Sequence, residues 1–479
     1  MLSSPSSSRG GFAPRRGRGG WNRPSAKKWE PVKLDTDAHP LGELLQTVQG
    51  SDLKLVNAST DVSIDDCRYV ASYNWLSDAT TATIIAGRPP RWTPLQTPQR
   101  LKEDSGQYFR DPNAARCPEY PMAPVVKAIL QQNPALDAGS IDLVACGSTL
   151  GNLLRFVRGI DKPFRFNVQV IGDTVFFIRK ENDPKELIKD VRGFGHTFPD
   201  AYTTWDNDVK NSETHQRIVQ YVFAGLKCFV RFEVDGYLKD RTAGGGSGDK
   251  VNLRSPTGPF SANDLSQAFG NATIGTASAI AKASNGSFNT TLRGSEIPQG
   301  SIFDLKTRSG KYKKDIDMSD MYPLLWIKQI PNFIVAYHDG AGLFQDIRVQ
   351  DVRADVQRWE KENIDCIRRL SSLLNIIIDI ARKDDKVLLE VISQKVNVLQ
   401  IRRQHGQGMQ ALPVALQNEW LATSGGVSVE DDDLSSDTNA GHDAVYDSEE
   451  DWKFGSDDEE PDYTACSAED CGYCGKCTY

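Results

Sequence analysis

Apolar and polar positions along the chain switch period several times, and each switch predicts an element. Alternating or short apolar runs bounded by turn residues predict strands at ASYNWL (71–76), TATIIAG (81–87), FRFNVQVIG (164–172), TVFFIRKE (174–181), HQRIVQYVFAG (215–225) and CFVRFEVDGYL (228–238). Further strands are predicted at GSIFDLKTRS (300–309), in a hairpin over NFIVAYHDGAGLFQDIRV (332–349), and at VLLEVIS and NVLQIRRQ near residue 400. Gly172-Asp173 marks a tight hairpin turn. Helical spacing appears in GELLQTVQ (42–49), in APVVKAILQQN (123–133), and after Ser148, an expected N-cap for Leu150, Leu153, Leu154 and Val157. It recurs from Pro184 to Val191, from Ser319 to Lys328 with Ser319 or Asp320 as cap, and over one long helix from Asp351 to Arg382. The buried stripe of that helix is Val352, Val356, Trp359, Ile367, Leu370, Leu374 and Ile378. Strands and helices mixed in this way predict an α/β (α+β) class with a mixed central sheet flanked by helices.

Composition then divides the chain. Residues 1–28 carry seven Lys or Arg and no acid, and residues 426–479 carry seventeen Asp or Glu against two Lys, which leaves residues 29–425 without net charge. The overall charge of −8 is therefore a property of the tail and does not argue against an anionic substrate. The expected layout is a disordered basic arm with RGG-like spacing (1–28), one domain (29–425) with a flexible Gly/Ser-rich insertion (240–300), and a disordered acidic tail (426–479). The arm suits RNA phosphates and bases, and the tail suits protein partners. No apolar run reaches the roughly 18 residues that span a bilayer, and the start lacks a secretory hydrophobic centre, so the expectation is an intracellular chain of nucleus or cytoplasm, in preference to mitochondria, with no membrane partner. Oligomeric state is not legible. Five cysteines (Cys67, Cys117, Cys146, Cys228, Cys366) are scattered as ordinary thiols. Cys466, Cys471, Cys474 and Cys477 crowd together and are a candidate zinc site.

Two acidic strands suggest chemistry. On a strand, residues two apart share a face, so Glu233 projects with Asp235 and Asp304 with Lys306. If the strands are neighbours, Glu233, Asp235, Asp304 and the Leu305 carbonyl form an oxygen-rich site for Mg²⁺ or Mn²⁺, with Lys306 positioning a water or offsetting transition-state charge. Arg155 and Arg158, three apart on a helix, are candidates for phosphate contact. His196 and His215 have no partner spacing, and Tyr202, Trp205, Tyr237 and Tyr312 are either base-stacking or core aromatics.

Phe232-Glu233-Val234-Asp235, followed by Phe303-Asp304-Leu305-Lys306-Thr307 and then IPNFIVAYHDGAGLFQDI, resembles the paired motifs and following hairpin of the DXO-type RNA decapping exonucleases. The resemblance covers roughly residues 145–350. It implies a PD-(D/E)XK nuclease-like fold and metal-dependent removal of aberrant RNA 5′ ends. Asp235 and Asp304 would be metal ligands, Glu233 a ligand or a partner behind them, and Lys306 the catalytic lysine. Two departures stand out. Asp304 replaces the family's Glu, and in Gly151-Asn152-Leu153-Leu154-Arg155 an arginine stands where the family places a metal-binding Glu. Glu181 is a substitute ligand to look for, and Arg88 or Arg91 the RNA-contacting arginine.

The expected function is accordingly a metal-dependent phosphodiesterase or pyrophosphohydrolase acting on RNA 5′ ends. A catalytically impaired RNA-binding or scaffolding protein of the same fold is the alternative. A prenyl diphosphate synthase, which also uses Asp clusters, is disfavoured because it needs Asp-rich motifs on long helices.

Overall fold

A computed structural model describes residues 34–53, 62–77, 83–188, 191–242, 289–310, 315–383 and 388–424. The basic arm, most of the insertion, Tyr312, the acidic tail and its four cysteines lie outside these residues.

Two sheets organise the described chain. The larger has eleven strands in the order β1 (Leu44–Gln49), β17 (Val398–Arg403), β16 (Leu389–Lys395), β6 (Phe164–Ile171), β7 (Thr174–Arg179), β5 (Leu143–Cys146), β10 (Leu226–Glu233), β9 (Ser212–Phe223), β2 (Ile64–Leu76), β3 (Thr83–Gly87), β12 (Thr290–Gly294). The smaller has six: β15 (Phe344–Asp351), β14 (Asn332–His338), β13 (Ile302–Ser309), β11 (Gly236–Tyr237), β4 (Arg91–Trp92), β8 (Thr203–Thr204). Both are mixed: β5 runs parallel to β7 and β10, β3 to β12, β13 to β14 and β11 to β4, while the remaining pairs are antiparallel.

Helices cover both faces of the large sheet, which accounts for strands such as β7 being apolar on both sides. Val175 and Phe177 enter a core shared with α3 (Gly147–Val157), α5 (Met318–Lys328), α6 (Arg353–Glu362) and α7 (Ile364–Lys383). Phe176 and Ile178 point the other way, to α2 (Ala123–Gln132) and α8 (Val414–Ala422). A third core, built on Phe198, Phe303, Leu305, Ile334 and Phe344, lies under α4 (Thr197–Tyr202). A short helix, α1 (Pro112–Arg116), is capped by the Asp111 side chain. This is the mixed α+β architecture that the hydrophobic pattern predicts, and it excludes the helical bundle of the prenyl synthase reading.

Several local expectations are corrected. GELLQTVQ forms the edge strand β1, because antiparallel pairing with β17 overrides its modest helical spacing. Ser148 is not the cap of α3; that position is Cys146, and Ser148 lies inside the first turn. The described residues between Pro184 and Val191 contain no helix, since the backbone there bonds across to Tyr108 and Arg110. Asp317, rather than Ser319 or Asp320, caps α5, accepting from the Ser319 amide at 3.1 Å. The long helix is two, broken at Asn363, although every residue of the predicted stripe is buried. Residues 290–294, expected inside the flexible insertion, form β12 on the sheet edge beside β3. No helix among the described residues is long and apolar enough to cross a membrane.

Candidate active site

The chain changes sheets at the first acidic motif. β10 ends at Glu233, and after Val234 and Asp235 the backbone resumes as β11 in the second sheet. Val234 donates its amide to the His215 carbonyl on β9 at 3.0 Å, and Tyr237 donates to Pro90 at 3.0 Å, so the bend is pinned on both sides. β11 then pairs antiparallel with β13, matching Gly236 to Phe303 and Tyr237 to Ile302. The two acidic segments, some seventy residues apart in sequence, are thereby neighbours.

Asp235 makes the junction explicit: its Oδ2 accepts the Leu305 amide at 2.6 Å. In an extended residue the N–H and C=O leave on one edge, so the Leu305 carbonyl faces the same bend. Asp304 points to the opposite face from Leu305. Its Oδ1 lies 3.4 Å from Lys306 Nζ and its Oδ2 3.1 Å from Lys328 Nζ, and all three side chains are 6% exposed or less. Glu233 sits on the other side of the bend, where Gln216 Nε2 donates to its Oε2 at 3.2 Å. Gln216 in turn accepts from Arg231 at 2.8 Å.

Glu233, Val234 and Asp235 form one wall of a cleft of about 630 Å³. The opposite walls include Tyr108, Phe109, Arg116, Lys185, His196 and Trp205. Tyr108 and His196 stack with ring centres 3.4 Å apart and planes within 2°. Burial lowers the His196 pKa despite the nearby Asp104 carboxylate, so near pH 7 the ring is neutral. His215 is fully buried, bonded through Nδ1 to Asn74 at 2.6 Å, and held well below the usual imidazole range by desolvation and by Arg217. Asp304, Lys306 and Lys328 do not line this cleft.

The structure thus bonds Asp235 to the strand that carries Asp304, Leu305 and Lys306, with Glu233 on the cleft wall. Arg155 is buried on α3, with its guanidinium bonded to Asn152 one turn back at 2.9 Å. Arg158 is the half-buried C-cap of the same helix. Arg88 engages Asp206 at 2.9 Å and Asp208 at 2.8 Å, and Arg91 lies 3.5 Å from Asp206. Burial pushes Asp206 up, but hydrogen bonds from Arg88 and Tyr237 outweigh that and hold it below the usual carboxylate range. Glu181 pairs with Arg179 at 2.6 Å and lines a separate cavity, so it does not stand in as a ligand. Tyr202, stacked on Phe198, and Tyr237 are core residues, which leaves Trp205 as the expected stacker that faces the cleft. Lys328 escaped the sequence reading. Its one signal was a lysine closing the otherwise apolar PLLWI helix end.

The donors suit a single hard cation rather than a metal cage. Among the described residues no three His, Cys, Asp or Glu side chains cluster as a metal site. Asp235 at the bend and Asp304 on the strand bonded to it nevertheless match the one or two protein carboxylates with which Mg²⁺ is held when substrate phosphates complete its shell.

Comparison with solved structures shows the fold: the chain is folded like Scheffersomyces stipitis Rai1, as the resemblance to the DXO-type decapping exonucleases implies. Scheffersomyces stipitis Rai1, in complex with (3'-NADP)+ and calcium ion, matches 80% of this chain and 99% of its own at 10% identity and a TM-score of 0.50. Candida albicans Rai1, in complex with pU5-Mn2+, matches 79% of this chain and 100% of its own at 8% identity and a TM-score of 0.47. K. lactis Dxo1, in complex with manganese, matches 77% of this chain and 99% of its own at 10% identity and a TM-score of 0.43. No curated protein matches the sequence. The chain belongs to the family described as a domain of unknown function, DUF8563, which matches residues 45–403.

Proposed function

We propose that this chain acts on the 5′ ends of RNA as a divalent-metal-dependent phosphodiesterase or pyrophosphohydrolase. The observation that carries this reading is the bond from the Leu305 amide to Asp235, which ties the two acidic motifs together at a bend open to a cleft. The RNA and manganese of the Candida albicans complex and the calcium of the Scheffersomyces stipitis complex are in keeping with it. A divalent cation held by Asp235, Asp304 and the Leu305 carbonyl would supply Lewis acidity and lower the pKa of a water. The chain's own residues do the rest. Lys185 offers positive charge to phosphates along the cleft, where Arg116 is paired with Glu213, and Trp205 and the Tyr108–His196 stack offer flat apolar surface to unpaired bases. Lys306, fixed two residues from Asp304, offsets charge that develops on the phosphoryl group.

The test is incubation of the purified chain with RNA bearing a 5′ monophosphate, a 5′ triphosphate or a cap, in Mn²⁺ or Mg²⁺. Metal-dependent loss of the end that disappears in D235N supports the reading, and no cleavage of any of the three ends it. A second reading, RNA binding without turnover, is favoured by the buried Arg155 at the position of an expected carboxylate. Under it the same RNAs are retained uncut, and changing Lys185 weakens retention.

A further inference from the structure

Each oxygen of Asp304 has its own ammonium group. Lys306 reaches Oδ1 from two residues along β13, as the strand pleat dictates. Lys328 reaches Oδ2 from a different element, the last residue of α5, and only tertiary packing brings it there. That position is held firmly. Gln329 closes α5 in the left-handed region at φ 53°, and Gln299 Nε2 donates to the carbonyls of Lys328 at 3.3 Å and Gln329 at 2.9 Å. Gln299 is itself fixed by Arg217 Nε at 2.7 Å. Lys328 is 4% exposed. A buried ammonium is costly unless paired, so Lys328 and Asp304 hold one another in place.

We propose that Lys328 is an internal counter-cation: its ammonium occupies the Asp304 oxygen that a divalent ion would use and keeps the resting site low in metal affinity. This rests on the reading of Asp235 and Asp304 as the cation's donors. A metal ion and the Lys328 ammonium compete for one carboxylate oxygen, and with Lys306 on the other oxygen the carboxylate has no excess negative charge to offer. Cation entry is then favoured when an incoming phosphate adds negative charge and donors of its own.

The experiment is calorimetric titration of the full chain with Mn²⁺ in the absence of RNA, for wild type, K328M, K328Q and K328M combined with D304N. Wild type is expected to bind more weakly than about 1 mM, the lower end of protein sites for hard divalent cations. K328M and K328Q are expected to bind at least about tenfold tighter, equivalent to roughly 1.4 kcal/mol, with the gain abolished by D304N. Micromolar Mn²⁺ binding by the wild type overturns the proposal, even where neither Lys328 variant folds. So does a folded K328M or K328Q with unchanged affinity, or a gain that survives D304N. Because Mn²⁺ affinity is read without RNA, a chain that cuts no RNA leaves this inference standing, and a chain that cuts RNA while binding Mn²⁺ tightly at rest removes this inference alone.

Discussion

Asp235 and Asp304 are the same residue type at the ends of two neighbouring strands, yet they occupy opposite environments. Asp235 faces the cleft from an irregular bend and accepts a neutral backbone amide. Asp304 is sealed on the far side of β13 between two lysines. The difference lies in partners and access rather than in chemistry. A carboxylate on a cleft wall is within reach of a ligand that enters the cleft. A buried carboxylate between ammonium groups is first of all the charge that makes those groups tolerable.

The sharpest way to break this comparison is D304N. Asparagine preserves shape but removes the charge that both buried lysines contact, so a loss of roughly 3–5 kcal/mol in urea unfolding is expected, together with loss of any RNA turnover. A change below about 1 kcal/mol would mean that the lysines do not depend on Asp304. The partner experiment is D235N. The amide oxygen can still accept the Leu305 N–H, so stability should fall by no more than about 1 kcal/mol, while turnover should drop by about two orders of magnitude or more through loss of a charged group at the reacting centre. Equal stability losses in the two variants would erase the distinction.

A smaller, pH-linked effect sharpens it. The bend carrying Asp235 hangs on the carbonyl of His215, whose buried ring is kept neutral in the folded state. An unfolded histidine takes up a proton near pH 6.5 and the folded one does not, so the unfolded state gains protons as pH falls. The His215 contribution to stability should therefore be fully present above about pH 6.5 and diminish below it, as read by thermal melting across pH 5 to 8. H215Q should flatten that acid limb. If it does not, the bend is not coupled to this imidazole.

Much of the scaffold was legible from the chain. Period-two runs located most of the strands of both sheets, Gly172-Asp173 marked the β6–β7 hairpin, and the stripe from Val352 to Ile378 is buried as the helical period requires. Two of the misplaced elements share a cause: β1 and β12 are edge strands with mostly exposed side chains, so pairing rather than sequence pattern forms them. The D-x-K spacing likewise placed Asp304 and Lys306 on one face, because the strand period is local.

Tertiary structure alone decided what those residues meet. No local period shows that β10 breaks after Glu233 and crosses to a second sheet, that Arg88 and Arg91 are absorbed by Asp206 and Asp208, or that the end of a distant helix delivers Lys328 to Asp304. Sequence by itself determined which groups are available and which neighbours two or four residues away share a face, since those relations follow from backbone geometry. Partner, burial and access at Asp235 and Asp304 depend on contacts between segments far apart along the chain, and only the packed fold sets those.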